Sequence, residues 1–266
     1  MHYSSDLSRE EFERRCRRQP FWYHSYYFDN GFEVRGDYNI GPDIASYGFP
    51  DDLAGATVLD IGTGAGWFAH YFHQRGAVVT AVDVRGPMDY DAFGVFERPG
   101  GMGARPPDRL DADGQPIYFS PSSGAFWLMR DLLGADIGFK NARATDVCPD
   151  LFGGQRFDLV FLGALLCHVR DPIGALMAAR SVCAGQVVAS TLVDVWDTSS
   201  DAAARLMWTQ PSAVGWWFPN LACYREWFLA AGFRDPDVSR QVSLRADRPR
   251  ESASRTQLHV AGHAFV

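Results

Sequence analysis

The sequence predicts an α/β domain built on a doubly wound, mostly parallel β-sheet. A strand, a glycine turn, a helix and a second strand can be traced without a break over residues 57–84. Further short apolar runs begin at Phe139, Phe157 and Gln186, and a helical pattern separates the last two of them. Strands that alternate with helical segments are typical of parallel sheets, because a helix makes the crossover between parallel strands.

The first of these units carries the glycine turn. The apolar runs at residues 58–61 and 78–82 have the length and composition of buried parallel strands. Between them, Trp67–Gln74 has a helical pattern that Gly76 ends. Glycine accepts positive φ and leaves the backbone bare, so the turn predicts a cofactor site. Asp83, at the end of the second strand, indicates a cofactor with a ribose.

The spacing of the glycines indicates which cofactor binds. A dinucleotide fingerprint needs a small residue where Trp67 stands, whereas residues 60–66 read D-x-G-x-G-x-G. This pattern resembles the first motif of the class I S-adenosylmethionine (SAM) methyltransferases. The resemblance implies that Asp83 accepts hydrogen bonds from both ribose hydroxyls and that Asp60 orients the loop or meets the cofactor ammonium. It also implies that the loop and the residue after Asp83 contact the cofactor, through Gly62, Thr63, Gly64, Gly66 and Val84. A glycine turn in another α/β protein is the alternative.

Composition limits the class of protein. The 266 residues, 47% of them hydrophobic, are enough for one sizeable core, with a helical and aromatic cap at 1–50 and the main domain at 51–266. No apolar run approaches the roughly 20 residues of a membrane helix, and the N-terminus lacks the apolar centre of a signal peptide, so we expect a cytoplasmic protein. The five scattered cysteines predict reduced thiols, and no spacing indicates a metal site.

The formal charge of −7 argues against nucleic acid as a partner, because phosphate contacts need clustered basic side chains. The one basic cluster alternates with glutamates, which predicts a short amphipathic helix with a solvated face. Its basic members are Arg14, Arg15, Arg17 and Arg18.

The remaining elements follow in order. Residues 86–121 are rich in Gly, Pro and Asp and form an insertion, either a functional lid or a disordered loop. Helices are predicted at 122–133, 173–183 and 223–231, and strands at 139–144, 157–162 and 186–191, with two more strands within 238–266. By the family resemblance the sheet has seven strands in the order 3-2-1-4-5-7-6. The same resemblance places Asp146 and Val147 at the adenine, and Gly163 frees the backbone where the fourth strand leaves the sheet.

A narrower resemblance rests on three stretches. WYHSYYFDNGFEVRGDYNI, FLGALLCHVRDP and the segment from STLVDVWDT to WWFPNLACYREWFLAAGF are similar to enzymes related to the tRNA wobble-uridine carboxymethyltransferase. This chain is acidic and has Lys140 as its only lysine, where the tRNA enzyme uses several to hold a carboxylated cofactor and RNA. We therefore expect ordinary SAM and a small-molecule acceptor.

Aromatic residues flank the expected ligand edge of the sheet. Open α/β sheets bind ligands at the carboxyl ends of their strands, and aromatic walls can exclude water there. The expected acceptor contacts are Tyr23, Tyr26, Tyr27, Trp208, Trp216 and Trp217. A second hydrophobic core is the alternative for each ring. Arg35 pairs with an acidic group of the substrate or is simply solvated.

An acceptor hydroxyl needs a base. His168 leaves the fourth strand near the expected methyl group and titrates near neutrality, so it is the first candidate, and His24 is the second. A histidine at this turn can equally fix the loop by a backbone hydrogen bond.

Four functions are compatible with these residues. A SAM-dependent methyltransferase acting on a small molecule, with O-methylation favoured over N- or C-methylation and a role in specialised metabolism, comes first. The alternatives are a tRNA-modifying methyltransferase, a non-catalytic SAM-binding protein and, last because of Trp67, an NAD-linked oxidoreductase.

Overall fold

The computed structural model describes residues 2–17, 19, 22–84, 109–110, 116–117, 123–207, 215–247 and 257–266. Apart from two short paired strands, the predicted insertion at 86–121 lies outside this part of the chain, and so does Trp208.

The described residues contain five α-helices. They are α1 (Arg9–Cys16), α2 (Trp67–Gln74), α3 (Ser123–Leu132), α4 (Pro172–Val182) and α5 (Leu221–Ala230). The strands, in chain order, are β1 (Tyr26–Tyr27), β2 (Glu33–Val34), β3 (Tyr38–Asn39), β4 (Thr57–Ile61), β5 (Val78–Asp83), β6 (Arg109–Leu110), β7 (Pro116–Ile117), β8 (Ile137–Asn141), β9 (Phe157–Leu162), β10 (Cys183–Leu192), β11 (Ala204–Leu206), β12 (Trp217–Pro219), β13 (Asp237–Ala246) and β14 (Gln257–Phe265).

The main sheet confirms the predicted fold and strand order. Its order is β3-β13-β14-β10-β9-β4-β5-β8, and from β8 to β13 this is the order 3-2-1-4-5-7-6 counted from β4 as the first strand. The five strands from β8 to β10 are parallel, and β14 pairs antiparallel with both of its neighbours, β10 and β13. The sheet has one strand more than predicted, because β3 pairs antiparallel with the edge of β13.

One strand is displaced from its predicted position. The third parallel strand was expected at 139–144, whereas β8 ends at Asn141 and residues 144–146 form a 3₁₀ turn. Pairing sets these bounds, since β5 aligns Val79 with Ile137 and Asp83 with Asn141. The predicted helices agree with α2 to α5 to within two residues at each end.

The register of the central strands assembles one functional edge. β4 pairs with β5 on one side and with β9 on the other, so that Ile61 lies opposite both Val82 and Leu162. The glycine turn, Asp83 and the turn after β9 therefore leave the sheet side by side at its carboxyl edge.

Two hydrophobic clusters cover the sheet. One includes rings from the first 50 residues packed with rings of α2 and α3, among them Tyr3, Phe12, Tyr26, Phe28, Tyr47, Trp67, Phe68, Phe72 and Phe126. The other lies under α4 and α5 on the opposite face. Within the described ranges, no helix has the length and apolar character needed to cross a membrane.

Candidate active site

The glycine loop between β4 and α2 is a chain of left-handed turns. Gly62, Gly64 and Gly66 have φ values of 75°, 54° and 80°. A Cβ on Gly62 would lie 2.9 Å from the Leu165 side chain, and one on Gly66 would lie 2.4 Å from the Phe126 ring. Backbone conformation and space thus both require glycine at positions 62 and 66.

Asp83 ties this loop to the end of β5. Its Oδ2 accepts the N–H of Gly64 at 2.7 Å, and its Oδ1 accepts the N–H of Val84 at 2.7 Å. A carboxylate has about four lone-pair positions, so both oxygens keep acceptor capacity for ribose hydroxyls. Burial raises the pKa of Asp83 to about 6.

Asp60 lies beneath the loop. Its side chain is 2% exposed, and its Oδ2 accepts the Thr63 hydroxyl at 2.7 Å. Burial raises the pKa of Asp60 to about 7, with the charge of Asp83 adding to the effect and the Thr63 hydrogen bond opposing it. Two neighbouring carboxylates that are costly to ionise are chemically matched to a cationic ligand such as SAM, because a nearby positive charge favours their charged forms.

The N-terminal segment packs directly on this loop. The Tyr26 hydroxyl donates to the Ala65 carbonyl at 3.1 Å, and the Tyr3 hydroxyl donates to the Trp67 carbonyl at 3.0 Å. In return, the indole N–H of Trp67 donates to the Ser25 carbonyl at 3.0 Å. Tyr26 is completely buried.

The turn after β9 brings reactive side chains to the same edge. Ala164 has a φ of 52°, and its N–H donates to the Ser190 hydroxyl at 3.0 Å. Cys167 is buried and His168 half-buried. Burial alone would raise the pKa of the Cys167 thiol, but His168 and hydrogen bonding bring it below its ordinary value.

A further histidine lies beside this turn. His259 is 2% exposed on β14, opposite Leu192 of β10. Burial, followed by the charge of His168, lowers the pKa of His259 to about 3. His168 and His259 are therefore neighbours although 91 residues separate them in the sequence.

Some of the expected acceptor residues meet this turn. The backbone N–H of Trp216 donates to the Cys167 carbonyl at 2.6 Å, and the Arg170 guanidinium lies over the Trp216 ring, 5.1 Å from its centre. The Trp217 indole donates to the Arg170 carbonyl at 3.0 Å. Tyr23 is half-buried, and the charge of Cys167 is among the causes that raise its pKa, after burial.

His24 is buried behind these groups. Its ring lies 4.7 Å from that of Tyr23 and 6.2 Å from that of Phe68, measured between centroids. Its Nδ1 has no hydrogen-bond partner among the described residues, and burial lowers its pKa to about 3.

Other expected site residues have local partners. The Tyr27 hydroxyl donates to Asp247 at 2.8 Å, and exposed Arg35 pairs with Glu33 at 3.0 Å. Asp146 is exposed in the turn after β8, while the adjacent Val147 is buried.

Comparison with known proteins identifies the family. Residues 38–236 match the family described as "Methyltransferase domain", which is more than half of the chain. The chain belongs to this family. It is a SAM-dependent methyltransferase of class I, and its cofactor is SAM.

Solved structures share the fold of this methyltransferase. The N-terminal domain of EvdMO1 with S-adenosylhomocysteine (SAH) bound is 17% identical with a TM-score of 0.61, and the match covers 98% of each chain. A crystal structure of EvdMO1 is 19% identical with a TM-score of 0.55, and the match covers 100% of this chain and 50% of that one. A SAM-dependent methyltransferase from Mesorhizobium loti is 13% identical with a TM-score of 0.50, covering 84% of this chain and 96% of that one. No curated protein matches the sequence.

Sequence reasoning missed three contributors to the site of this methyltransferase. Leu165 occupies the space beside Gly62, Cys167 lies next to His168, and His259 approaches from β14. The first two lie in the stretch that includes His168 and carried no polar pattern of their own. His259 could have been found only from the register of β14 on β10.

Proposed function

We propose that this methyltransferase transfers the methyl group of SAM to a hydroxyl of a small molecule, with His168 as the base. The observation that carries the proposal is the contact between the glycine loop and the turn that bears His168, where the Leu165 side chain fills the space next to Gly62. Donor and base are thereby held at one edge of the sheet, which is the arrangement that an in-line displacement needs.

The proposed roles follow from the contacts. When bound, SAM would supply an electrophilic methyl group for transfer to the acceptor oxygen, with SAH as the leaving product. Asp83 would hold the ribose, Asp60 would face the ammonium, and the glycine loop would lie against the methionine half. Asp146, Val147 and Gly163 complete the cofactor contacts in this proposal. His168 takes the proton of the acceptor hydroxyl.

His24 is set aside as the base because burial lowers its affinity for a proton. The pKa of about 3 at His24 leaves it a weak proton acceptor near neutral pH. We propose that His24 instead belongs to the wall behind the acceptor, with its unpartnered Nδ1 as a buried acceptor atom.

The proposed acceptor wall consists of Tyr23, Trp216 and Trp217, which lie next to the His168 turn or its neighbour Arg170. Trp208 lies outside the described residues and is given no place in this wall. Tyr26 is left out of this wall because its hydroxyl is already bound to the glycine loop. Tyr27 and Arg35 are given no acceptor role because they are bound to Asp247 and Glu33.

A small acceptor is preferred to tRNA. The net charge of −7 disfavours phosphate binding, and only the three stretches that resemble enzymes related to the tRNA methyltransferase favour an RNA substrate. Among the structural neighbours, the N-terminal domain of EvdMO1 was crystallised in the presence of SAH and D-fucose. This supports testing hydroxyl-rich sugars first in an acceptor screen.

Calorimetric titration of SAM into the wild type, Asp83→Ala and Asp158→Ala tests the cofactor site. Asp158 is the matched control, because its carboxylate also accepts a backbone N–H, that of Thr57 at 2.8 Å, but at the opposite end of the sheet. We expect binding by the wild type and by Asp158→Ala, and at least tenfold weaker binding by Asp83→Ala. Equal affinity in Asp83→Ala, or no binding by the wild type, would refute the proposed site.

A further inference from the structure

The glycine loop has a further anchor besides Asp83 and Asp60, and the N-terminal segment provides it. The Tyr26 hydroxyl lies 3.1 Å from the Ala65 carbonyl and 3.3 Å from Nδ1 of His70. Ala65 stands between Gly64, whose N–H binds Asp83, and Gly66, whose φ is 80°. The anchor therefore acts in the middle of the loop that faces the cofactor.

The hydrogen-bond chemistry gives this contact a direction. A tyrosine hydroxyl has one proton, and because the Ala65 carbonyl can only accept, that proton is donated to Ala65. The hydroxyl oxygen then accepts the N–H of the His70 ring, which assigns the His70 proton to Nδ1. Burial, reinforced by the charge of Asp60, keeps the pKa of Tyr26 well above its ordinary value, and burial lowers that of His70 to about 3. Both groups are therefore neutral, and the chain from His70 through Tyr26 to Ala65 is complete near neutral pH.

Packing fixes the far end of this chain. The His70 ring stacks on Phe126 of α3, with ring centres 5.7 Å apart and planes 24° from parallel. A Cβ on Gly66 would lie 2.9 Å from Cε1 of His70 and 2.4 Å from the Phe126 ring. The His70 ring is thus held between Phe126, Gly66 and Tyr26 and cannot follow a displaced loop.

We propose that Tyr26 is a positioning residue that sets the affinity of the loop for SAM. Glycines at every second position, 62, 64 and 66, give the loop many conformations, and SAM binding must select one of them. The apparent dissociation constant for SAM is the intrinsic one divided by the fraction of free molecules whose loop already has the binding conformation. Raising that fraction therefore tightens binding in proportion. The Tyr26 hydroxyl raises that fraction by fixing the Ala65 carbonyl, and with it the N–H of Gly64. This inference rests on the SAM site proposed above.

The test compares two substitutions that make the same chemical change. Tyr26→Phe removes the hydroxyl bound to the loop, and Tyr224→Phe removes one that donates to the Ala189 carbonyl at 2.7 Å on β10. Both tyrosines are completely buried, so Tyr26→Phe loses its hydrogen bonds to Ala65 and His70, Tyr224→Phe loses that to Ala189, and both variants lose some thermal stability. SAM affinity is measured by calorimetry at a temperature where circular dichroism shows both variants fully folded.

We expect SAM to bind Tyr26→Phe five- to twentyfold more weakly than the wild type, and Tyr224→Phe within twofold of it. Wild-type affinity in Tyr26→Phe, or equal weakening in both variants, would overturn the inference and leave the SAM site intact. A wild type that does not bind SAM would overturn the site and the inference together. If Tyr26→Phe does not fold, Tyr3→Phe, which loses the bond to the Trp67 carbonyl, is measured instead, and wild-type affinity there would count against the anchor.

Discussion

Asp60 and Asp83 make the site sensitive to protons. Burial is the main cause of both raised pKa values, which are about 7 for Asp60 and about 6 for Asp83. Each group is thus partly or largely protonated at pH 6 in the free protein. SAM is positively charged at its sulfur and its ammonium, so its binding at the proposed site would favour the ionised carboxylates and would release their protons.

The affinity of SAM should therefore fall as the pH falls. Between pH 8 and pH 6 we expect a loss of about twentyfold, about tenfold from Asp60 and about twofold from Asp83, since each pH unit below a pKa costs about a factor of ten for a group that must be ionised. Titrations at several pH values measure it. In Asp60→Asn the fall in SAM affinity between pH 8 and pH 6 should be smaller, and it should begin at a lower pH, near the pKa of Asp83. An affinity that stays constant over this range would contradict the assigned roles.

Gly66 illustrates the demand for space in the loop. Gly55 has a similar left-handed φ of 74°, but a Cβ there would meet nothing within 4 Å, whereas a Cβ on Gly66 would overlap the Phe126 ring. Gly55→Ala should lower the free energy of unfolding by about 1 to 2 kcal/mol, because alanine is strained in the left-handed region. Gly66→Ala should cost at least about 1 kcal/mol more, because overlap in a packed core adds strain. Urea unfolding of both variants measures the difference, and equal costs would show that Phe126 yields to the new methyl group.

At the scale of elements, Asn220 joins a helix to a loop. Its Oδ1 accepts the N–H of Cys223 at 2.8 Å and so caps α5, and it also accepts the N–H of Ala203 at 3.2 Å. Its Nδ2 donates to the Asp201 carbonyl at 2.8 Å and to Asp197 at 3.3 Å. All four hydrogen-bonding positions of this buried amide are used, which fixes the segment that follows β10 beside the proposed acceptor wall.

Asn220→Ala should therefore cost more than the loss of a cap. Asp171→Ala, which removes only the cap of α4 on the N–H of Gly174, is the matched control and should cost about 1 kcal/mol. Asn220→Ala should cost about 2 to 4 kcal/mol, because it also leaves buried loop groups without partners. Thermal and urea unfolding would measure both. Similar costs would mean that the loop hydrogen bonds contribute little.

The elements also show what the sequence can predict. The bounds of α2 and the strands beside it follow from local signals, namely apolar runs, glycine and an acidic strand end, and the structure confirms them. β3 has two residues and owes its existence to the edge of β13, so no local pattern indicates it. The same holds for His259 and for the hydroxyl of Tyr26, whose partners lie 39 residues or more away. A period of two or 3.6 residues predicts which face is buried, but pairing and packing decide which side chains meet there.

At the scale of the whole molecule, the N-terminal segment shares the core of the main domain. Phe12 and Phe28 are buried with ring centres 4.4 Å apart, and Tyr47 packs on Phe68 and Phe161 at 5.1 and 5.9 Å. The proposed boundary near residue 50 thus marks a change of composition within one continuous hydrophobic cluster.

A chain that starts at Asp51 should consequently fail to fold cooperatively. It loses β3 and most aromatic partners of α2, and each buried aromatic side chain contributes about 2 to 3 kcal/mol. Near-ultraviolet circular dichroism and a thermal melt measure the outcome. The control is a chain that begins at Tyr3, which we expect to melt at the same temperature as the full chain. A sharp melt of the longer truncation would show that residues 51–266 are self-sufficient.

The position of β14 has a consequence for how the chain folds during synthesis. β14 is the last of the sheet's strands to leave the ribosome, yet it lies between β10 and β13. Until residues 257–265 emerge, one edge of β10 has no paired strand. β13 can pair with β3 but lacks β14, the strand that connects it to the rest of the sheet. An unpaired strand edge is a template for other chains, so we expect the nascent protein to be most exposed to aggregation and to chaperones when β4 to β10 are already complete. We expect the final step of assembly to be the insertion of β14, which pairs with β10 and β13 at once.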